Sequence, residues 1–408
     1  MALGKRRATD CSEYGTRLLS GGFLQILLFV LVIGAPCANL IAQDAQYGVA
    51  IPVTISGGFL DTQRARYEDP SAPRDFVGFR LLATPEVKLG SHWFGYAALQ
   101  VRSTPYFYQD AYDSRRTVNF DTLQCFAGYS RTWNQTTLLV KAGKLASAFG
   151  SFPLRYDDMV NPLLDQPLPY NYLLFQPDQG GSPYGLTPVT IYGLPAAELD
   201  LNWRRVDTRF QFTMSNPYNP RDFFQSGQHP QWTLGGGYTI RQGFRVGVSA
   251  YRGPWLVGSV SSLLPPGSNV SDFPASAVGF DVQWARGRWS VGGEWDRFLF
   301  GFPGLSNTPT LTFGYVETKV IIHPRWFAAA RLNYQTDNHA LFGGFVSPTT
   351  VFPNRQYYEV AVGFRPDHFQ LLKVGYEWTQ IQNGEINHDN VFGVQFVTTF
   401  NGLSLALK

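Results

Sequence analysis

The chain has 408 residues, with 33 Lys or Arg against 30 Asp or Glu, a net charge of +3. That balance excludes a protein that holds polyanions by bulk charge. Only 15% of the residues are charged, against about 25% in ordinary soluble domains, while 15% are aromatic and 41 are glycine. A mean hydropathy of −0.14 excludes a polytopic helical membrane protein. Few charges with many aromatics and glycines suit an all-β chain, and a transmembrane β-barrel in particular.

Residues 1–43 read as a cleaved export signal. Lys5, Arg6 and Arg7 precede the apolar run 23–33, and Ala35, Ala38 and Ala42 follow it. A basic start, a short apolar run and a small-residue exit define such a signal. The run is shorter than the roughly 20 residues of a spanning helix. Cleavage near Gln43 removes Lys5, Arg6, Arg7 and Arg17 against Asp10 and Glu13, which lowers +3 by two and leaves about +1. Cys11 and Cys37 go as well. Cys125 is then alone, so neither an intrachain disulfide nor a cysteine metal site is expected.

From residue 44 onward the pattern is one of period two. The first predicted strands are 47–60, 75–86, 92–102, 117–131 and 137–145. Then come 197–205, 208–215, 231–241, 244–252, 275–286 and 288–299, and last 310–322, 325–335, 355–365, 369–380 and 390–400. In 275–286, Val278, Phe280, Val282 and Trp284 share one face, and Gly279, Asp281 and Gln283 the other. Likewise Leu372, Val374, Tyr376 and Trp378 oppose Lys373, Gly375 and Glu377. That makes about sixteen strands, most near the 9–11 residues a spanning strand needs.

The connections alternate in length. Short ones are 87–91, 132–136, 206–207, 242–243, 287, 323–324 and 366–368. Mostly long ones are 61–74, 103–116, 146–196, 216–230, 253–274, 300–309, 336–354 and 381–389. One rim of tight turns and one of long loops is the asymmetry of an antiparallel outer-membrane barrel, with short periplasmic turns and long extracellular loops. Trp93, Trp133, Trp203, Trp232, Trp255, Trp289, Trp326 and Trp378 fall near strand ends, as interfacial girdles do.

Over about residues 44–408 the chain resembles a sixteen-stranded bacterial outer-membrane porin. The segment Gly143-Lys144-Leu-Ala-Ser-Ala-Phe149-Gly150 is similar to Gly-basic…Phe-Gly segments of the phosphate-selective porin-like group. The resemblance implies that the longest loop, 146–196, which follows the fifth strand, folds inward as the pore-constricting loop. This loop carries Arg155, Asp157, Asp158, Asp165 and Asp178 and a proline-rich stretch, 161–169, and proline stiffens a loop. It also implies a last strand that ends on an aromatic residue read by the barrel-assembly machinery. Here Phe400 stands eight residues before the end, so either a tail follows or the last strand runs on. A homotrimer is a further expectation of the resemblance.

The polar face of each strand is expected to line a water-filled lumen. By that rule the lumen bases are Arg80, Arg102, Lys141, Arg204, Arg209, Arg241, Arg245, Arg331, Arg365 and Lys373, and Lys144 is counted with the constriction. The lumen acids are Asp200, Asp281, Glu294, Asp296, Glu359 and Glu377. Rings of charge set ion preference, so wall bases facing loop acids predict a transverse field and weak net selectivity. Replacing Asp157 and Asp158 by Asn is expected to favour anions.

The expected function is a porin in the bacterial outer membrane, contacting its lipid and passing small hydrophilic solutes or ions. Two alternatives are a substrate-specific channel for phosphate or other anions or for sugars, and a barrel enzyme or adhesin with a closed lumen. An aromatic track for sugars is suggested by Tyr106, Phe107, Tyr108, Tyr112, Tyr170, Tyr172 and Phe175. None of His92, His229, His323, His339, His368 and His388 lies in a hydrolase or metalloprotease frame. No catalytic residue, metal, cofactor or nucleic-acid partner is expected.

Overall fold

A computed structural model describes residues 47–68, 70–108, 116–151, 157–170, 193–213, 230–256, 264–269, 272–301, 308–337, 354–382 and 388–407. The predicted export signal lies outside them, as do Arg155, Asp178, Tyr112, Tyr172 and Phe175.

The strands are β1 (Tyr47–Thr62), β2 (Asp75–Ala83), β3 (Glu86–Leu89), β4 (Trp93–Thr104), β5 (Thr117–Trp133) and β6 (Thr136–Leu145). They continue as β7 (Leu194–Trp203), β8 (Val206–Thr213), β9 (Gln231–Arg241), β10 (Phe244–Gly253), β11 (Ala275–Arg286) and β12 (Trp289–Phe300). The last are β13 (Thr310–His323), β14 (Trp326–Asp337), β15 (Asn354–Phe364), β16 (Gln370–Gln382) and β17 (His388–Leu407). Apart from β2 and β3, each pairs antiparallel with its sequence neighbours, and β17 returns to β1 from Thr62↔Val391 to Tyr47↔Leu407. The sheet therefore closes on itself and no edge is left unpaired, as backbone in hydrocarbon requires. Both β2 and β3 pair with β1 and β4. They form one stave broken at Thr84-Pro85, so the barrel has sixteen staves.

Two boundaries differ from the sequence reading. The second stave runs on through 87–89, expected to be connection, because a proline cannot donate to the ladder and interrupts the pairing without ending it. The last strand continues past Phe400 to Leu407, held by pairing with Tyr47–Ile51.

Alternation sorts the side chains. In β15, Tyr358, Val360 and Val362 face outward, at 40%, 41% and 46% exposure, while Arg355, Glu359 and Ala361 face inward at 2%, 1% and 4%. A wall that is apolar outside and polar inside is the reverse of a soluble protein and fits lipid outside and water within. The tight turns use left-handed residues, among them Gly243 (φ 78°) and Gly287 (φ 59°). Trp93, Trp133, Trp203, Trp289 and Trp326 stand exposed at that rim. Trp255 departs from the girdle: it is 1% exposed, packed on Phe300 at 4.7 Å with its indole donating to the Gly301 carbonyl at 3.0 Å.

Candidate constriction site

The segment 157–170 of the long loop is fastened to the inner wall along most of its length. Asp157 starts it with a turn: its carbonyl accepts from the Val160 and Asn161 amides and its Oδ1 from the Met159 amide at 2.8 Å. Asp158 Oδ2 accepts from Ser56 of β1 at 2.7 Å and Tyr106 at 2.8 Å, and lies 3.1 Å from the Arg80 guanidinium of β2. Lys373 of β16 donates to three loop carbonyls, those of Asp158, Asn161 and Leu163, at 2.9–3.1 Å.

Glu359 of β15 accepts from the Leu164 and Asp165 amides at 2.9 and 3.2 Å. Arg331 of β14 donates to the Asp165 carbonyl and pairs with Glu317 at 2.7 Å and Glu359 at 3.2 Å. Further on, Asn333 accepts from the Leu168 amide at 3.1 Å, and Tyr170 donates to Glu294 of β12 at 2.6 Å. The wall is shaped for this. A Cβ at Gly375 or Gly393 would collide with Leu164.

The loop's first stretch crosses the other side. Gln211 of β8 brackets it, donating to the Ala146 carbonyl and accepting from the Ala148 amide. Phe149 packs on Phe298 at 5.6 Å. Ser249 of β10 accepts from the Gly150 amide, and Arg209 donates to the Gly150 carbonyl at 3.2 Å. Two more loops dip inward. Arg64 reaches Glu377 at 2.5 Å and also contacts Asp389. Tyr106 takes a hydrogen bond from Gln395 at 2.7 Å.

These contacts set the loop's titration. Burial alone would raise the Asp158 carboxyl, but Arg80 and Lys373 outweigh it, with Ser56 and Tyr106 donating, and hold it below the ordinary value. Burial first, then the charges of Glu377 and Glu359, push Asp165 well above. Asp157 is raised by burial.

The expected site residues divide into four groups. Arg80, Arg331, Lys373, Asp158, Asp165 and Glu294 meet at the loop, and Arg365, which donates to the Met159 carbonyl at 2.9 Å, joins them. Arg245 pairs instead with Asp207 at 2.6 Å and Asp281 at 2.7 Å, and Lys141 with Glu198 at 2.5 Å and Asp200 at 2.8 Å. Arg102 is inward and lies over the Phe107 ring at 5.3 Å. The expected placement fails for the fourth group. Arg204 is the left-handed residue (φ 55°) of the β7–β8 turn, exposed, bonded to Gln135 at 2.7 Å and stacked on Trp203. Arg241 is exposed beside the next turn. Lys144, paired with Cys125 and Pro195, stands three residues on from the inward Lys141, so plain alternation puts it on the opposite face.

The predicted aromatic track is not open either. Tyr106, Phe107, Tyr108 and Tyr170 are 1–5% exposed and serve as packing for the loop. Alternation would have found Glu198 and Asp207, which share faces with Asp200 and Arg209, and Glu317 within 310–322, whereas Asp389 falls in the expected connection 381–389. Nothing periodic marks Arg64, Asn161 or Tyr106 as wall partners.

Among the described residues, one cavity lies against the loop and another against the wall alone. One, of about 420 Å³, lies between Val160 and Pro162 of the loop and Arg245, Gln283, Glu317 and Lys319 of the wall. The other, of about 600 Å³, is lined by residues of β1 and β3–β6.

A closed sixteen-stave wall with a loop after the fifth stave pinned across its interior settles the architecture. The chain folds as an outer-membrane porin. Similar solved structures include OprB of Pseudomonas putida, with a TM-score of 0.58 at 12% identity, covering 86% of this chain and 94% of that one. The outer-membrane channel DcaP of Acinetobacter baumannii aligns with a TM-score of 0.52 at 10% identity over 89% of this chain and all of that one. In vitro folded OmpT of Vibrio cholerae gives 0.52 at 9% over the same shares. No protein-family model and no curated protein matches the sequence. At such identities it is the porin fold that is shared, and the inner-wall chemistry is this chain's own.

Proposed function

We propose that the protein is an outer-membrane diffusion channel for small hydrophilic solutes and ions, with its residual passage beside the fastened loop. The observation that carries this reading is the loop itself. Segment 157–170 is bonded to wall residues from β1, β2, β12, β14, β15 and β16. It narrows the lumen, and cavities with Arg245, Gln283, Glu317, Lys319 and Lys141 in their walls remain. Charged walls that solvent reaches favour ions and polar solutes over lipid. The signal-like residues 1–43 support export, and a homotrimer belongs to the same reading. A trimer form is known for OmpT of Vibrio cholerae, with a TM-score of 0.50 at 9% identity over 86% of this chain and 99% of that one.

Selectivity follows from which charges stay available. Asp158 is neutralised by Arg80, and Arg331 by Glu317 and Glu359. The ion preference therefore rests on Asp157 and on Lys319 and Arg209, which make no ion pair with another described residue. Refolding residues 44–408 and recording them in a planar bilayer under a salt gradient tests the reading. Stepwise conductance with a small reversal potential is expected. A folded, heat-modifiable barrel that carries no current would overturn it and bring the enzyme and adhesin readings forward.

A further inference from the structure

The 600 Å³ cavity differs from the rest of the interior in what faces it. Phe94, Tyr96 and Phe126 point inward from β4 and β5, and Glu86, Lys88 and Gln124 stand around them. The rings form a continuous ledge. Tyr96 and Phe126 are 5.3 Å apart at 38°, and Phe94 meets Phe126 edge-on at 6.2 Å. Phe94 lies flat across Gly128, where any Cβ would strike its ring. Pairing puts an ionic group beside each of two rings, Lys88 opposite Phe94 and Glu86 opposite Tyr96.

The inner aromatics Tyr106, Phe107, Tyr108, Phe149 and Tyr170 are packed away, each at most 5% exposed. Here the rings are half-exposed. The side chains of Glu86, Lys88, Gln124 and Tyr96 make no hydrogen bond to another described residue. Tyr96 packs in part on Leu82, Ala98 and Leu123, but the ring surface left open to water gains nothing for the wall. Its presence calls for a solute face to cover it.

The charges define that solute. Glu86 and Lys88 offset each other. The third ion at the cavity, Lys141, is already neutralised by Glu198 and Asp200. The ledge is thus flanked by an acceptor, a donor and an amide that does both, with no net positive charge for an anion. Resting on the channel reading above, we propose that Phe94, Tyr96 and Phe126 with Glu86, Lys88 and Gln124 form a subsite for a neutral carbohydrate. The C–H face of a pyranose covers the rings, and its hydroxyls bond to the carboxylate, ammonium and amide. The volume suits a mono- or disaccharide, since small-molecule sites run to about 300–1,000 Å³.

The test uses the whole barrel folded in detergent and titrated calorimetrically with glucose, maltose and benzoate, with ion conductance recorded separately in bilayers. Glucose or maltose is expected to bind saturably. Phe94→Ala and Phe126→Ala are expected to weaken that binding about tenfold each, the value of one ring contact. Gln124→Leu weakens it too and carries the test if a ring variant fails to give a heat-modifiable band. A conducting barrel that binds neither sugar, or that binds benzoate alone, overturns the subsite and leaves the channel standing. Sugar binding indifferent to all three substitutions also overturns it. A barrel that binds sugar through these residues but passes no current sustains the subsite and overturns the channel.

Discussion

Along the arc from β12 through β17 to β2, the inner charges hold loop segments, and along the arc from β3 to β11 Arg245 and Lys141 pair with wall carboxylates while Arg209 holds the Gly150 carbonyl. Arg331 and Arg80 on the first arc have side-chain exposures of 0% and 1%. Arg245 and Lys141 on the second have 19% and 18%. Both arcs come from the same alternating strands with similar residues on the inner face. What separates Arg331 and Arg80 from Arg245 and Lys141 is whether their partners include chain from outside the strands. A lumen charge therefore has two uses, to fasten and to line, and the partner determines which.

The sharpest break of this contrast is at Arg331. Arg331→Leu leaves Glu317 and Glu359 buried without their cation, a loss of about 3–5 kcal/mol, and frees the Asp165 carbonyl. Thermal unfolding of the barrel is expected to drop markedly, with larger and noisier current steps. The equivalent change on the other arc, Arg245→Leu, affects a more exposed cluster and costs less in the same melting experiment.

Lys373→Met comes next. It removes donors from three loop carbonyls, at about 1.5–3 kcal/mol for each such charged hydrogen bond. Single-channel conductance is expected to rise as segment 157–165 loosens. An unchanged conductance would mean that Arg331 and Glu359 hold the loop without it.

A pH series separates the carboxylates. The pKa of Asp158 is depressed in the folded state. Its stabilising contribution is therefore present above the ordinary carboxylate value of about 4 and disappears only as pH falls through the lowered folded value. Loop release, seen as current noise, is expected to begin only below the ordinary range. With Arg80→Gln it begins at higher pH, because burial then dominates.

Smaller effects concern selectivity. Asp157→Asn is expected to move the reversal potential toward anions and Lys319→Gln toward cations, with the loop in place. Asp158→Asn acts chiefly on loop stability, as its charge already faces Arg80. Least of all, Arg74→Gln removes an exposed pair with Asp61 at 3.1 Å. Such pairs are worth about 0–1 kcal/mol, and neither melting nor current should shift measurably.

Much of this was legible beforehand. The pairing of Asp281 with Glu294 and of Glu359 with Glu377 across neighbouring strands follows from alternation plus hairpin order. The same parity places Phe94 and Tyr96 on the face of Gln100 and Arg102, so the ledge was readable in residues 92–102, although its neighbour Phe126 was obscured by the bulge near Leu123. Arg204 was misplaced because a strand boundary two residues off turns a wall position into a turn.

The sequence by itself determined the strands, their two faces, the rim of tight turns and the loop after the fifth strand. All of these are local or periodic: each strand's pattern is set by the pleat, and each turn by the few residues that tolerate it. Only the tertiary structure decided that Asp158 is neutralised while its neighbour Asp157 is not, that Arg64 and Tyr106 reach the wall, and that 401–407 extends the last strand. Those outcomes depend on partners tens to hundreds of residues away, Arg80, Asp389, Gln395 and Tyr47 among them. No periodicity links such residues, and closure of the barrel is what brings them within reach.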